Sequence, residues 1–243
     1  MTADAPEPSD ESAPERFTDA DADRFTDWLR ARAEPDWTAA VDHRFTHEVA
    51  SGDVADAVFR RYLVQDYAFV GDLVGLLGHA VGEAPDPATQ SRLVDFLAVL
   101  TDDEDDYFRR SFDALGVPES ARASPDLAPS TAAFVDLLGR AARAGGYAET
   151  LAVVVPAEWV YRSWATRAAT EGGPERFYLA EWIELHANEG FSETVTWLRE
   201  ELDAVRPRLS PRREARVADL FCRTVTLERA FFDAAYDDVR DRE

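Results

Sequence analysis

The sequence contains no lysine and only one cysteine, and both absences restrict what the protein can be. All 26 basic residues are arginines, and 48 acidic residues outnumber them, which gives a formal net charge of -22. A surface of that sign repels phosphate backbones, so nucleic-acid binding is disfavoured. A solvated, halophilic surface accounts for most of the acids, because high salt screens their mutual repulsion. Runs of acids along this chain are therefore weak indications of a site.

Long apolar runs and targeting signals are also missing. No stretch approaches the ~20 uninterrupted apolar residues of a membrane span. The beginning of the chain lacks the basic and apolar segments of a secretory signal. The single Cys222 excludes an intrachain disulfide and a cysteine metal cluster, and it is consistent with a reducing compartment. We therefore expect a cytoplasmic protein with no membrane contact.

Strand signals are absent as well, since the chain has no period-two runs of β-branched residues and no Asn-Gly hairpin. Residues 1–20 are rich in Ala, Asp, Glu, Pro and Ser, which predicts a disordered acidic tail. Residues 21–243 follow a helical pattern nearly throughout and predict a single domain. Nine helices are predicted, beginning near residues 25, 37, 53, 86, 130, 147, 174, 192 and 211. Their short connections favour antiparallel neighbours, so the predicted fold is an all-α helical bundle.

Three carboxylates, Asp66, Glu158 and Glu228, interrupt apolar stripes on three different predicted helices. Their neighbours on the same helix faces are largely aromatic: Tyr62 and Phe69 beside Asp66, Tyr161 beside Glu158, and Phe231 beside Glu228. An ionised carboxylate on a buried face costs several kcal/mol unless it has a partner or its pKa rises. A halophilic surface accumulates acids on solvent faces instead. The three acids therefore indicate either one polar pocket inside the bundle or unrelated core acids paired with arginine.

Three further features are ambiguous. Glu104 lies on an apolar stripe, but it belongs to the acidic run 102–106, and such runs are usually solvated faces. His186 lies near another stripe, where it would line either a pocket or the core. His43 and His47 have the i, i+4 spacing of metal ligands, but no Glu-x-x-His segment on a second helix completes a di-iron site. We interpret them as capping or core residues and predict no metal.

Four segments in order resemble the TenA/thiaminase II family, which belongs to the haem-oxygenase-like helical superfamily. The segments are Phe45-Thr-His-Glu-Val-Ala-Ser-Gly-Asp53, Tyr62-Leu-Val-Gln-Asp-Tyr-Ala-Phe69, Val155-Pro-Ala-Glu-Trp-Val-Tyr161, and Glu228 with Phe231. The resemblance covers about residues 25–240 and implies a single-domain, haem-oxygenase-like helical bundle that forms a homo-oligomer, either a dimer or a tetramer. It also implies an aminopyrimidine aminohydrolase of thiamin salvage that needs no cofactor. The implied substrate is 4-amino-5-aminomethyl-2-methylpyrimidine or its N-formyl form, and the product is the hydroxymethylpyrimidine.

The resemblance also implies the roles of individual residues. Glu228 and Glu158 would be catalytic. The substrate-binding residues would be Asp66, Tyr161, Phe69, Phe134, His186, Tyr62 and Phe231. In one branch of the family a catalytic Cys follows the proline of the central helix, but here Ala157 stands at that position. The chain is therefore similar to the cysteine-lacking branch, in which a Glu takes over. His186 stands where the family usually has Tyr.

Two alternatives from other classes stay open at this point. One is a metal-dependent oxygenase on the same helical fold, which would use His43, His47 and nearby acids. The other is a non-catalytic regulator or scaffold. The identity of the pyrimidine substrate and the participation of Glu104 are also undecided by the sequence.

Overall fold

The computed structural model describes residues 15–237, and within that range it contains helices, turns and loops but no β-strand. The predicted all-α class is confirmed. The α-helices of the described range are α1 (Phe25–Arg32), α2 (Asp36–Val41), α3 (Arg44–Ser51), α4 (Asp56–Glu83), α5 (Pro87–Thr101), α6 (Asp103–Ala114), α7 (Glu119–Ala123), α8 (Pro129–Ala144), α9 (Tyr147–Ala168), α10 (Phe177–Ala187), α11 (Glu189–Val205) and α12 (Pro211–Ala234). Two 3-10 helices, Phe17–Asp19 and Arg206–Arg208, accompany them.

Two predicted helices are each divided in the structure. The predicted second helix becomes α2 and α3, because the Nδ1 atom of His43 accepts a hydrogen bond from the backbone N of Phe45 at 3.0 Å and caps a new helix. The predicted fourth helix becomes α5 and α6, which are separated at Asp102. Local hydrogen bonding of this kind competes with helix continuation, and hydrophobic periodicity does not report it.

The predicted acidic tail is only partly covered by the structure, since residues 1–14 lie outside the described range. In the remainder, the Phe17 ring packs against Phe25 with ring centroids 5.6 Å apart. The backbone N of Phe17 also donates a hydrogen bond to Oε1 of Glu214 at 3.2 Å. The packed helical domain therefore extends to Phe17, a few residues before the predicted boundary at residue 21.

Helix α9 is the centre of the bundle. Residues 151–157 of this helix are apolar without interruption, and most residues from Tyr147 to Ala168 are buried, as expected for a helix surrounded by others. It packs against α2, α3, α4, α8, α10, α11 and α12. At its beginning, Glu149 accepts a hydrogen bond from the backbone N of Gly146 and two from Arg213 on α12, at 3.1 and 2.6 Å. This ion pair ties α9 to α12.

The helices around α9 determine where the site lies. Helices α4 and α12 both contact α9, and α6 and α10 contact each other and close the same side of the bundle. Residues from the middle of α4, α9 and α12 therefore face one common volume. Within residues 15–237, no helix combines the length and the apolar character that crossing a membrane requires.

Candidate active site

A cavity lies inside the bundle, and the atom-free space along its wall, including its opening to solvent, is about 360 Å³. Its wall is formed by Asp66, Phe69, Val70, Leu73, Leu100, Glu104, Ala157, Glu158, Tyr161, Trp182, His186 and Glu228. These residues come from six helices: α4, α5, α6, α9, α10 and α12. The cavity therefore depends on tertiary packing, because no helix supplies more than four of its residues.

The structure brings the residues predicted for the site to this cavity or to the layer behind it. Six of them line the wall: Asp66, Phe69, Glu158, Tyr161, His186 and Glu228. The other three, Tyr62, Phe134 and Phe231, are buried one layer further out. The Phe134 ring lies 4.5 Å from the ring of Phe69, and the Phe231 ring lies 6.3 Å from it, centroid to centroid. These three side chains support the wall of the cavity.

Two of the acids have oxygen atoms for which residues 15–237 supply no hydrogen-bond partner. Asp66 is 4% exposed and Glu228 is 2% exposed. Among the described residues, none forms a hydrogen bond with Oδ2 of Asp66 or Oε1 of Glu228. Leaving a buried polar atom unpaired costs free energy, so such atoms are rare in a packed interior. Their position in a cavity wall is that expected for groups that bind a ligand.

Among the described residues, the four acids of the wall, Asp66, Glu104, Glu158 and Glu228, also have no cationic partner. Within residues 15–237, no arginine forms an ion pair with any of them. Elsewhere in the protein the acids of the surface are widely paired with arginine, for example Asp203 with Arg24 at 2.7 Å. The core-acid interpretation, in which each buried carboxylate is neutralised by arginine, does not describe this site.

Burial and mutual repulsion change the proton affinity of these acids. Burial raises the pKa of Glu104 to about 8, and burial together with the charge of Glu104 raises the pKa of Glu158 to about 8. Burial is also the main cause that raises the pKa of Asp66 and of Glu228 well above the ordinary range. The charge of Glu158 adds to both shifts, while a hydrogen bond from Tyr62 opposes the one at Asp66. The cavity therefore holds protons near neutral pH.

His186 adds no positive charge to the cavity. Its Nδ1 atom lies 2.9 Å from the carbonyl oxygen of Trp182, and because a carbonyl only accepts, Nδ1 carries the proton. Burial lowers the pKa of His186 to about 4, although the backbone hydrogen bond opposes the shift. The ring is therefore neutral, its Nε2 atom is a hydrogen-bond acceptor, and it packs 4.9 Å from the ring of Tyr161.

Six wall residues were not assigned to the site from the sequence: Val70, Leu73, Leu100, Glu104, Ala157 and Trp182. Glu104 was left undecided because its acidic neighbours suggested a solvated face. Trp182 was not selected, although its position four residues before His186 places it on the same helix face. Ala157 lines the cavity, whereas Cys222 on α12 is half-buried and is not part of the wall. Burial raises the pKa of the Cys222 thiol, so it remains protonated.

His43 and His47 lie away from this cavity. His43 caps α3 and has its Nε2 atom 3.3 Å from Oδ1 of Asp233, while the side chain of His47 is exposed. In the part of the chain that the structure describes, no group of three or more His, Cys, Asp or Glu residues is arranged to hold a metal ion. The alternative of a metal-dependent oxygenase built on these two histidines receives no support from their positions.

The all-helical architecture and a superposition on a solved structure define the class of fold. It is the haem-oxygenase-like fold, since the chain superposes on a Shewanella denitrificans domain of unknown function described as having a heme oxygenase-like fold. The TM-score is 0.67 at 13% identity, over 88% of this chain and 93% of that one. The model of the TENA/THI-4/PQQC family matches residues 30–238, so the chain belongs to that family. The resemblance carried by the four segments is thereby confirmed.

Individual members of the family are similar along nearly their whole length. An aminopyrimidine aminohydrolase of Halalkalibacterium halodurans is 26% identical over 215 residues, which are 88% of this chain and 96% of the relative. A crystal structure from a Silicibacter species, described as a TenA family transcription regulator, superposes with a TM-score of 0.79 at 22% identity. That superposition covers 87% of this chain and 96% of the other.

Proposed function

We propose that the protein is an aminopyrimidine aminohydrolase of thiamin salvage. It would hydrolyse 4-amino-5-aminomethyl-2-methylpyrimidine, or its N-formyl form, towards the hydroxymethylpyrimidine. The observation that carries the proposal is a cavity in which buried acids, unpaired with any arginine of the described residues, meet aromatic rings. Membership of the TENA/THI-4/PQQC family and the name of the Halalkalibacterium relative support the same activity.

The wall offers a separate group for each part of an aminopyrimidine. Asp66 accepts hydrogen bonds from the ring amino group and thereby orients the ring. Phe69 and Tyr161 pack against the faces and edges of the flat heterocycle, and His186 presents Nε2 as an acceptor. The residues of the layer behind hold these contacts in place, since the Tyr62 and Tyr161 hydroxyls form a 2.7 Å hydrogen bond.

Hydrolysis requires two proton movements at the methylene carbon. The C–N bond to the amine breaks, a C–O bond to water forms, the amine leaves as ammonia, and water loses one proton. If the amine is neutral, Glu228 gives its proton to the leaving nitrogen and regains one from water. If the amine is already protonated, it leaves as ammonia without that donation, and ionised Glu228 accepts the proton that water loses. Glu158 positions or activates the water, or shares a proton with Glu228. Both pKa values are raised by burial, which allows one carboxyl to be an acid and the other a base near neutral pH.

This proposal includes no cysteine nucleophile. Ala157 occupies the wall position next to Glu158, and Cys222 lies outside the wall with a raised pKa. An uncharged thiol away from the cavity is a poor nucleophile. The chemistry is therefore assigned to carboxyl groups and water.

Ammonia release from the aminopyrimidine tests the proposal, with thiamin assayed in parallel. We expect turnover by the wild-type protein and none by Glu228→Gln, which keeps the shape of the side chain and removes the acid. Glu200→Gln on the exposed face of α11 is the matched control and should keep the wild-type rate. Wild-type turnover by Glu228→Gln would defeat the assignment.

We also propose that the protein is a cytoplasmic homo-oligomer, either a dimer or a tetramer. The oligomeric state is supported by the sequence resemblance, and the location by the single cysteine. Light scattering coupled to size-exclusion chromatography tests the oligomeric state, and a monomer at micromolar concentration would contradict it.

A further inference from the structure

Glu104 is buried, unlike Asp102, Asp105 and Asp106 of the same acidic run. Asp105 is typical of a surface acid in this protein, since it forms an i, i+4 ion pair with Arg109 at 2.7 Å. Glu104 is 8% exposed, lies in the first turn of α6 and belongs to the wall of the cavity. None of the ion pairs in the described residues involves it. A buried carboxyl with no protein cation is costly, so a role in ligand binding is more consistent with its position than a structural one.

Among the described residues, the groups around Glu104 bring acids to the cavity but no positive charge. Asp66 on α4 and Glu158 on α9 are close enough for the charge of Glu104 to raise their pKa values. Glu228 on α12 completes the cluster, and its Oε1 atom and Oδ2 of Asp66 have no hydrogen-bond partner among the described residues. The remaining titratable groups that face the cavity are Tyr161 and His186. Both are uncharged at neutral pH, because burial raises the pKa of the tyrosine and lowers that of the histidine.

We infer that Glu104 is a specificity residue. It makes the cavity selective for a heterocycle that carries an ammonium group, so the protonated aminomethylpyrimidine is preferred over its neutral N-formyl derivative. The inference rests on the proposed function and narrows its substrate. A primary amine on a saturated carbon is protonated near neutral pH, whereas a formamide is not. An ammonium group also supplies three hydrogen-bond donors, and the unpartnered carboxyl oxygens of the wall are acceptors.

Binding of a cation should also displace protons. The empty cavity holds protons at neutral pH, because its acids have raised proton affinities. An ammonium group favours the ionised carboxylates, so protons leave as it enters. A neutral ligand does not produce this release. The preference for the cation should therefore increase with pH while the acids ionise and the amine is still protonated.

The test compares kcat/KM for the free amine and the N-formyl compound in the wild type and in Glu104→Gln. We expect the wild type to prefer the amine by at least about tenfold, and Glu104→Gln to reduce that ratio by at least about fivefold, the scale of one charged hydrogen bond. The change should lie mainly in KM for the amine. Glu200→Gln should leave the ratio unchanged. An unchanged ratio in Glu104→Gln, or an equal loss for both compounds, would overturn the inference.

A second measurement needs no variant of the site. The wild-type preference for the amine should increase between about pH 6 and pH 8, the interval in which the acids ionise. A ratio that is flat over this interval would overturn the inference. If neither compound were hydrolysed, the proposed function would fail on its own. The same two compounds would then be compared by calorimetric binding, where Glu104→Gln must weaken the amine at least about fivefold more than the N-formyl compound.

Discussion

The hydroxyl oxygens of Tyr62 and Tyr161 lie 2.7 Å apart and form a buried hydrogen bond between α4 and α9. Tyr62 lies one turn before Asp66, and Tyr161 lies one turn after Glu158. Burial is the main cause that raises the pKa of both tyrosines, so both hydroxyls stay protonated and one donates to the other. The bond therefore holds together the two helices that carry these acids.

The first prediction concerns this bond. Tyr62→Phe and Tyr161→Phe should each lower the free energy of unfolding by about 1 kcal/mol, because each removes the buried hydrogen bond between the two hydroxyls. The double variant should lose less than the sum of the two, since the hydrogen bond can be removed only once. Urea unfolding of the four proteins gives the coupling energy. Strictly additive losses would show that the two hydroxyls do not interact.

Substrate orientation by Asp66 is the subject of the second prediction. Asp66→Asn should lower kcat/KM for the aminopyrimidine by about 100-fold or more, because an amide NH₂ would face the donors of the ring. Asp72→Asn, an exposed acid on the same helix, is the matched control and should behave as wild type. Steady-state ammonia release measures both. Equal activity of the two variants would remove Asp66 from the site.

The third prediction concerns the pH profile of catalysis. If ionised Glu158 activates water, kcat/KM should increase with pH and level off above about 8, the pKa that burial and Glu104 give it. The pKa of Glu104 is also about 8, so the rising limb of the pH profile reflects the coupled titration of Glu104 and Glu158. Glu104→Gln removes a like charge and should therefore move the limb to lower pH. An unshifted limb in that variant would contradict the coupling.

Conformational stability provides the fourth prediction. The folded-state pKa of Glu104 is about 8, above the ordinary value of 4.5. Between these two pH values the folded protein keeps a proton that the unfolded chain has lost, so this group lowers stability progressively as pH rises. At pH 8 the effect is on the order of a few kcal/mol. Glu104→Gln should therefore have a higher Tm than the wild type at pH 8.

The informative quantity is how this difference in Tm changes with pH. The advantage of Glu104→Gln should be small near pH 5 and should grow up to about pH 8, because only the wild type has the titrating group. Glu200→Gln, whose side chain is exposed, should show no comparable trend. A difference that is independent of pH would mean that Glu104 titrates normally in the folded protein.

The helices were largely predictable, because the period of 3.6 residues places apolar side chains on one face regardless of what packs there. Helix α9, predicted from residue 147 to about 170, is observed as Tyr147–Ala168. The break at His43 was missed because a side-chain cap leaves the apolar period intact. The break at Asp102, which has no side-chain cap, was also missed. Trp182 was not assigned to the site because the sequence shows which face of its helix it lies on but not which residues of other helices pack there.

The sequence by itself determined an all-α domain and the positions at which Asp66, Glu158 and Glu228 interrupt apolar faces, because the face of a helical residue depends only on its spacing from its neighbours. The adaptation to high salt stays a prediction from composition. Only the tertiary structure decided that these acids share one cavity with Glu104, and that no arginine of the described residues pairs with them. Pairing and burial of a carboxyl depend on contacts between distant parts of the chain, such as the hydroxyl pair that joins residues 99 positions apart.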